Sequence, residues 1–227
     1  MNEEVLSAKF AAAEHARKRD NNDEAIRLYD EVMENSTGPM RQAASHMLGV
    51  SLSQSGDQGG ANRVLAELLS EQLDDETRGN VLRDYGNALS KAKRYEEATK
   101  QLDRSIELLE RVDDKIGAAA TRNFQARNLY RQGDLTEALE LAERADRELD
   151  GLDSPEIKLY CDLFLAKLYA MNHQPDKARQ LAKSAEKVAE TYGGQKHTER
   201  AKLIEELADQ PEELERRLAT ATDKPVE

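Results

Sequence analysis

Apolar and polar positions along the chain follow a helical period, in paired segments joined by short polar breaks. One pattern recurs five times: an apolar helix, a polar break, and a second helix that opens on alanine. The breaks read Asn22-Asp23-Glu24-Ala25, Asp57-Gln58-Gly59-Gly60-Ala61, Tyr95-Glu96-Glu97-Ala98, Leu135-Thr136-Glu137-Ala138 and Pro175-Asp176-Lys177-Ala178. Successive alanines stand 36, 37, 40 and 40 residues apart. Four residues after each come Tyr29, Leu65, Leu102, Ala142 and Ala182, and seven after come Val32, Leu68, Ser105, Ala145 and Ala185. Twelve before stand Ala13, Gly49, Gly86, Ala126 and Ala166, and nine before stand Ala16, Leu52, Leu89, Leu129 and Tyr169. Small residues belong where two antiparallel helices touch most closely. Larger apolar residues three or four positions away form the stripe that packs on the next pair. One pair cannot bury its own face, so stacking is obligatory.

Breaks and caps place first helices near 4–19, 40–54, 78–92, 116–132 and 156–172, and second helices near 22–35, 58–73, 95–112, 135–150 and 175–191. Asp134, Ser154-Pro155 and Gln174-Pro175 read as helix starts. Gly193-Gly194 ends the last pair. Residues 196–209 form one more amphipathic helix, with Ala201, Leu203, Ile204, Leu207 and Ala208 apolar. A stack of repeats needs an end cap, and this helix is the natural candidate. If its stripe does not fold back on the fifth pair, it offers a face for a second copy of the chain. Pro211 opens a short charged helix, and residues 220–227 read as a fraying tail.

The column set resembles the tetratricopeptide repeat over roughly residues 5–192. Gly49-Val50-Ser51-Leu52 and Tyr85-Gly86-Asn87-Ala88-Leu89 are the best matches to its first helix, and Ala25 to Val32 and Ala98 to Leu102 to its second. No repeat begins with Trp, and the proline that usually ends a repeat is missing, although Pro39 and Pro155 lie near two boundaries. The longer final periods resemble the long-helix branch of the family found in bacterial peptide-sensing regulators and cell-polarity scaffolds. The resemblance implies an all-α, right-handed superhelical solenoid of antiparallel helix pairs. Five repeats would span 1–194 (about 5–39, 40–76, 77–114, 116–152 and 156–194), with a capping helix over 195–210 and a charged helix and tail over 211–227.

Composition narrows the function. The 227 residues carry a formal net charge of −12, which repels phosphate backbones and argues against general nucleic-acid binding. The one cysteine, Cys161, cannot make an internal disulfide or a thiolate metal cluster, and its apolar neighbours make it a buried structural thiol. No segment is apolar enough to span a membrane, and the acidic N-terminus is no secretory signal, so the expected compartment is the cytoplasm. His15, His46, His173 and His197 stand alone. Gly56, Gly59 and Gly60 lie in a loose turn rather than a phosphate loop, and Asp74-Asp75-Glu76 lacks the spaced oxygens of a calcium loop. The expectation is no catalysis, no metal and no cofactor.

Charge placement is more informative. Basic residues gather on the first helices, among them Arg83, Lys91, Arg122, Arg127, Arg131 and Lys167, and acids concentrate on the second helices, as over residues 134–150. In the family the first helices line the concave groove, which implies a basic-leaning groove and an acidic back. Carried over to the later repeats, the groove positions include Asn80, Arg83 and Asn87, then Asn123, Arg127 and Tyr130, then Tyr160 and Lys167. Asn can bond both the C=O and the N–H of an extended peptide, and Arg can grip a carboxylate with two parallel bonds. Arg83, Asn87, Asn123 and Arg127 would make one cluster, with Tyr130, Tyr160 and Phe164 as adjacent aromatic surface. The bland reading is that Arg83 and Arg127 pair with Asp84 or nearby Glu as a solvated face. The family's chaperone-tail clamp does not carry over, because Ala120 and Phe124 occupy its later basic positions. The expected function is an interaction scaffold binding an acidic or C-terminal peptide segment of another protein. The alternatives are a peptide-responsive sensor and a self-associating repeat protein.

Overall fold

The computed structural model describes residues 2–221, and the far end of the expected fraying tail, from residue 222 on, lies outside them. The described residues form twelve α-helices and no strand. No helix among them is long and apolar enough to cross a membrane. The chain divides into two compact units, the first reaching Val112 and the second starting at Asp113.

The first unit holds α1 (Glu3–Lys18), α2 (Asn22–Asn35), α3 (Gly38–Ser55), α4 (Gln58–Leu69), α5 (Asp75–Lys91) and α6 (Tyr95–Arg111). Each helix packs on the next, and α3 also touches α5. The second unit holds α7 (Lys115–Gln132), α8 (Leu135–Leu149), α9 (Pro155–Met171), α10 (Pro175–Val188), α11 (Gly194–Leu207) and α12 (Pro211–Ala221). There too neighbours pack in order, and α9 is also touched by α7, α11 and α12. Ten of the helices thus fall into the five pairs expected. Several helix ends differ by a few residues. Helix α4 stops at Leu69, where Ser70 Oγ turns back onto the Glu67 carbonyl, rather than running to residue 73. The last pair closes with one turn of π-helix, Ala189–Gly193, and the backbone breaks at Gly194 (φ 66°), where α11 begins, at the expected Gly193-Gly194.

The repeat columns are the core. Ala25, Ala61, Ala98, Ala138 and Ala178 are fully buried, as are Tyr29, Leu65, Leu102, Ala142 and Ala182 one turn later. At the facing positions space is short. A Cβ on Gly49 would lie 2.5 Å from Leu65 Cγ, and one on Gly86 2.7 Å from Leu102 Cγ. The polar member of the columns, Ser105, is buried and donates to the Gly79 carbonyl at 2.7 Å. The stripe of α11 folds back: Ala201, Ile204, Leu207 and Ala208 are buried in one cluster with Ala178, Ala182 and Ala185 of α10. Its apolar face is therefore covered within the chain.

The turns inside the pairs repeat as strictly as the columns. Five residues before each key alanine the backbone enters the left-handed region: Asp20 (φ 56°), Gly56 (97°), Lys93 (61°), Gly133 (97°) and His173 (53°). Asp57, after one of these turns, caps α4 by accepting from the Gly60 N–H at 2.8 Å, so this turn is built rather than loose. A left-handed residue with a Cβ costs about 1–2 kcal/mol relative to glycine. Gly133→Ala is therefore expected to lower stability by about that much. Lys93→Gly is expected to raise it by up to about 1 kcal/mol, the gain being reduced by glycine's larger unfolded-state entropy. Urea denaturation of the full chain, followed by helical circular dichroism, checks both signs.

Candidate functional site

In the first unit the expected site cation, Arg83, is tied into an ion pair. Arg83 Nη1 donates to Asn80 Oδ1 at 2.6 Å, and Arg83 Nη2 lies 3.1 Å from Asp84 Oδ2. His46 Nε2 of α3 meets the same Asp84 oxygen at 2.8 Å. Burial would raise the Asp84 carboxyl, but Arg83 and the His46 contact more than offset it and hold it well below the usual carboxylate range. Asn87 is half-buried on the same helix. Other first-helix cations here are also engaged: Lys9 with Glu31, Arg17 with Glu14 at 2.9 Å, and Arg41 with Glu71. Lys91 donates to the Ser53 carbonyl at 2.8 Å.

The second unit is different. Asn123, Arg127 and Tyr130 stand at i, i+4 and i+7 on α7, and Tyr160, Phe164 and Lys167 at the same spacing on α9, so each trio shares a helix face. The structure brings the two faces together. Arg127 Nε donates to Asn123 Oδ1 at 2.9 Å and Arg127 Nη2 to the Tyr160 carbonyl at 3.1 Å. The Arg127 guanidinium lies 4.3 Å above the Phe164 ring. Tyr130 meets Phe164 edge-on at 6.1 Å, and Lys167 Nζ sits 4.3 Å over the Tyr130 ring. Such cation–aromatic contacts contribute about 0.5–2 kcal/mol. Tyr160 keeps 52% of its surface exposed.

Electrostatically this face is unbalanced. Arg122 pairs with Glu148 of α8 at 2.9 Å, and Lys158 with Asp146 and with Asp162 at 3.3 Å. Arg127 meets no carboxylate among the described residues. Its guanidinium is pulled down by burial first, then by Arg200 and Arg131. Lys167 is also lowered by burial; Glu215 opposes that and Arg200 and Arg127 add to it. Glu215, on α12, brings a carboxylate to this surface: it accepts from Lys167 Nζ at 3.1 Å and from the Tyr130 hydroxyl. Burial would raise the Glu215 carboxyl, but Tyr130 and Lys167 keep it below its ordinary value. Cys161 is buried beside this face, its thiol pushed up to about 12, first by burial.

Three contributors were not legible as site residues. Arg200 and His197 come from α11, where His197 meets the Tyr160 ring edge-on at 4.7 Å. The signal for Arg200 is its place beside Ala201 and four before Ile204, at the border of the buried stripe. Nothing in the sequence singles out Glu215 from the other acids of α12.

Residues 77–145 match the tetratricopeptide repeat. No curated protein matches the sequence significantly. Solved structures share the fold. A Rap protein complexed with Competence and Sporulation Factor superposes with a TM-score of 0.80 at 16% identity, over 94% of this chain and 63% of that one. The Rap conjugation gene regulator of plasmid pLS20, in complex with the Phr* peptide, gives 0.82 at 13% identity, over 96% and 63%. TTC0263, a tetratricopeptide repeat protein of Thermus thermophilus, gives 0.61 at 18% identity, over 96% and 100%. The chain thus spans less than two thirds of the length of either Rap structure.

The Asp84 cluster yields a pH-dependent expectation. Its folded carboxyl lies below the unfolded value, so its stabilisation is present above about pH 4 and is lost as pH falls through the folded value. Asp84→Asn is expected to cost about 1–3 kcal/mol at pH 7, by removing the negative charge that Arg83 and His46 share. The gap between variant and parent should begin to narrow below about pH 4 and go on narrowing towards the folded value. Denaturation midpoints at pH 7 and pH 3 check it.

Proposed function

We propose that this chain, a repeat protein of tetratricopeptide type, is an interaction scaffold that binds an acidic peptide segment of another protein along the α7–α9 face. One observation carries this reading. Arg83 and Arg122, on first helices, pair with Asp84 and Glu148, whereas Arg127 meets only neutral acceptors and an aromatic face among the described residues. A cation so placed is ready to receive an anion without first breaking an internal ion pair. Asn123 holds the Arg127 guanidinium in place, and the exposed Tyr160 ring offers a flat apolar contact at the rim. The overall charge of −12 favours a protein partner over a nucleic acid. The hydrophilic composition suits the cytoplasm, with a mean hydropathy of −0.81.

Each charge-assisted hydrogen bond contributes roughly 1.5–3 kcal/mol. Ordering costs bring the expected affinity into the micromolar range, and screening makes it salt-sensitive. A second reading, a peptide-responsive sensor, draws on the fold likeness to Rap structures, one of them in complex with the Phr* peptide. A bound peptide that compacts the chain in solution scattering would favour it over a rigid scaffold.

Peptide display against the full chain tests the proposal. Enriched peptides are expected to be rich in Asp and Glu and to lose at least tenfold in affinity in Arg127→Glu, with helical content unchanged. Tyr160→Ala, at an exposed position, should weaken them several-fold. Absence of enrichment, or binders indifferent to both variants, would overturn it.

A further inference from the structure

We propose that Arg200 of α11 and Arg127 of α7 form a carboxylate-binding site, which takes an acidic side chain or a terminal carboxylate of the peptide partner. This rests on the reading above and adds a residue from outside the five helix pairs. Arg200 stands one turn after His197, whose ring meets Tyr160 edge-on at 4.7 Å, and its charge acts on Arg127 and Lys167. Arg200 Nε is buried with no acceptor among the described residues, and so is Asn123 Nδ2, on a side chain only 4% exposed. Arg127 spends its bonds on the Asn123 oxygen and the Tyr160 carbonyl, leaving its charge uncompensated. Two guanidinium groups therefore act on each other, each with a buried unpartnered donor on or beside it, and neither has a carboxylate partner among the described residues.

Such an arrangement opposes folding. Like charges repel, and a buried polar donor without an acceptor costs free energy. The burial-driven lowering of Arg127, Arg200 and Lys167 expresses the same strain. An arriving carboxylate relieves it: two oxygens offer about four acceptor sites, matched to the guanidinium fork. The chain itself indicates the anion. At the adjoining cation, Lys167, a carboxylate is already seated, that of Glu215, with the Tyr130 hydroxyl as a second donor. Glu215 is half-exposed, on a helix whose described contacts are with α9 and α11. It is a built-in example of the ligand chemistry at one end of the surface, and a like-charged neighbour to whatever binds beside it.

Two fluorescein-labelled probes distinguish the sources of carboxylate. One is hexaglutamate with a blocked C-terminus; the other is hexaglycine with a free one. Anisotropy titrations at low salt use the full chain, Arg200→Gln, Glu215→Gln, and Lys183→Gln as a charge-matched control at an exposed site on α10. At least one probe should bind. Arg200→Gln should weaken it tenfold or more, and Lys183→Gln less than twofold. Glu215→Gln should tighten it several-fold by removing the competing negative charge. The melting temperature of Arg200→Gln should stay level or rise, because an uncompensated cation has been removed; a structural role would lower it. Arg200→Lys, which keeps the charge and loses the fork, should bind with intermediate affinity. Equal effects of Arg200→Gln and Lys183→Gln, or no binding of either probe to Glu215→Gln, would overturn the site. Displayed peptides that lose affinity in Arg127→Glu but keep it in Arg200→Gln would remove this site and leave the peptide-binding reading standing. If no displayed peptide binds, the broader reading fails first.

Discussion

The close approach of paired helices is the constraint on which the rest depends. It requires a small residue where the backbones cross, and Ala25, Ala61, Ala98, Ala138 and Ala178 meet it at zero exposure. Their partners must also be small: Gly49 and Gly86 leave no room for a methyl group against Leu65 and Leu102. Close packing at that density makes each pair rigid, because any added volume must displace a neighbour. Rigid pairs in turn hold side chains at i, i+4 and i+7 in fixed positions. That is what allows Asn123, Arg127 and Tyr130 to meet Tyr160, Phe164 and Lys167 in defined geometry.

On this frame the two units use the same basic residues differently. Around Arg83 the cation is closed into a network with Asn80, Asp84 and His46. A network of that kind adds local order, and its low exposure limits screening. Around Arg127 the acceptors are neutral, and neighbouring cations add to the charge instead of cancelling it. Stability would favour an acid there. Keeping cations uncompensated is the sort of cost that marks a binding surface, since the same groups gain most when an anion arrives. The difference between two arginines equivalent in the charge pattern is the observation on which the proposed binding surface rests.

The sequence by itself determined the pairing of helices, their order and the buried columns. Each of these follows from local periodicity and from residue size at a fixed spacing, and both can be read along the chain. The ends of α4 and α10 were less legible, because a hydroxyl turning back onto a carbonyl and a single π-turn leave no periodic trace. Nor was the recurrent left-handed turn, since glycine marks it at Gly56 and Gly133 while Asp20, Lys93 and His173 adopt it without one. Only the tertiary structure decided which cations are neutralised. Arg122 finds Glu148 on the following helix, Arg83 finds its sequence neighbour, and Arg127 finds neither. Arg200 and Glu215 reach the α7–α9 face from helices 33 or more residues away along the chain. Charge partners are set by distance in space, and sequence spacing reports distance only within one helix.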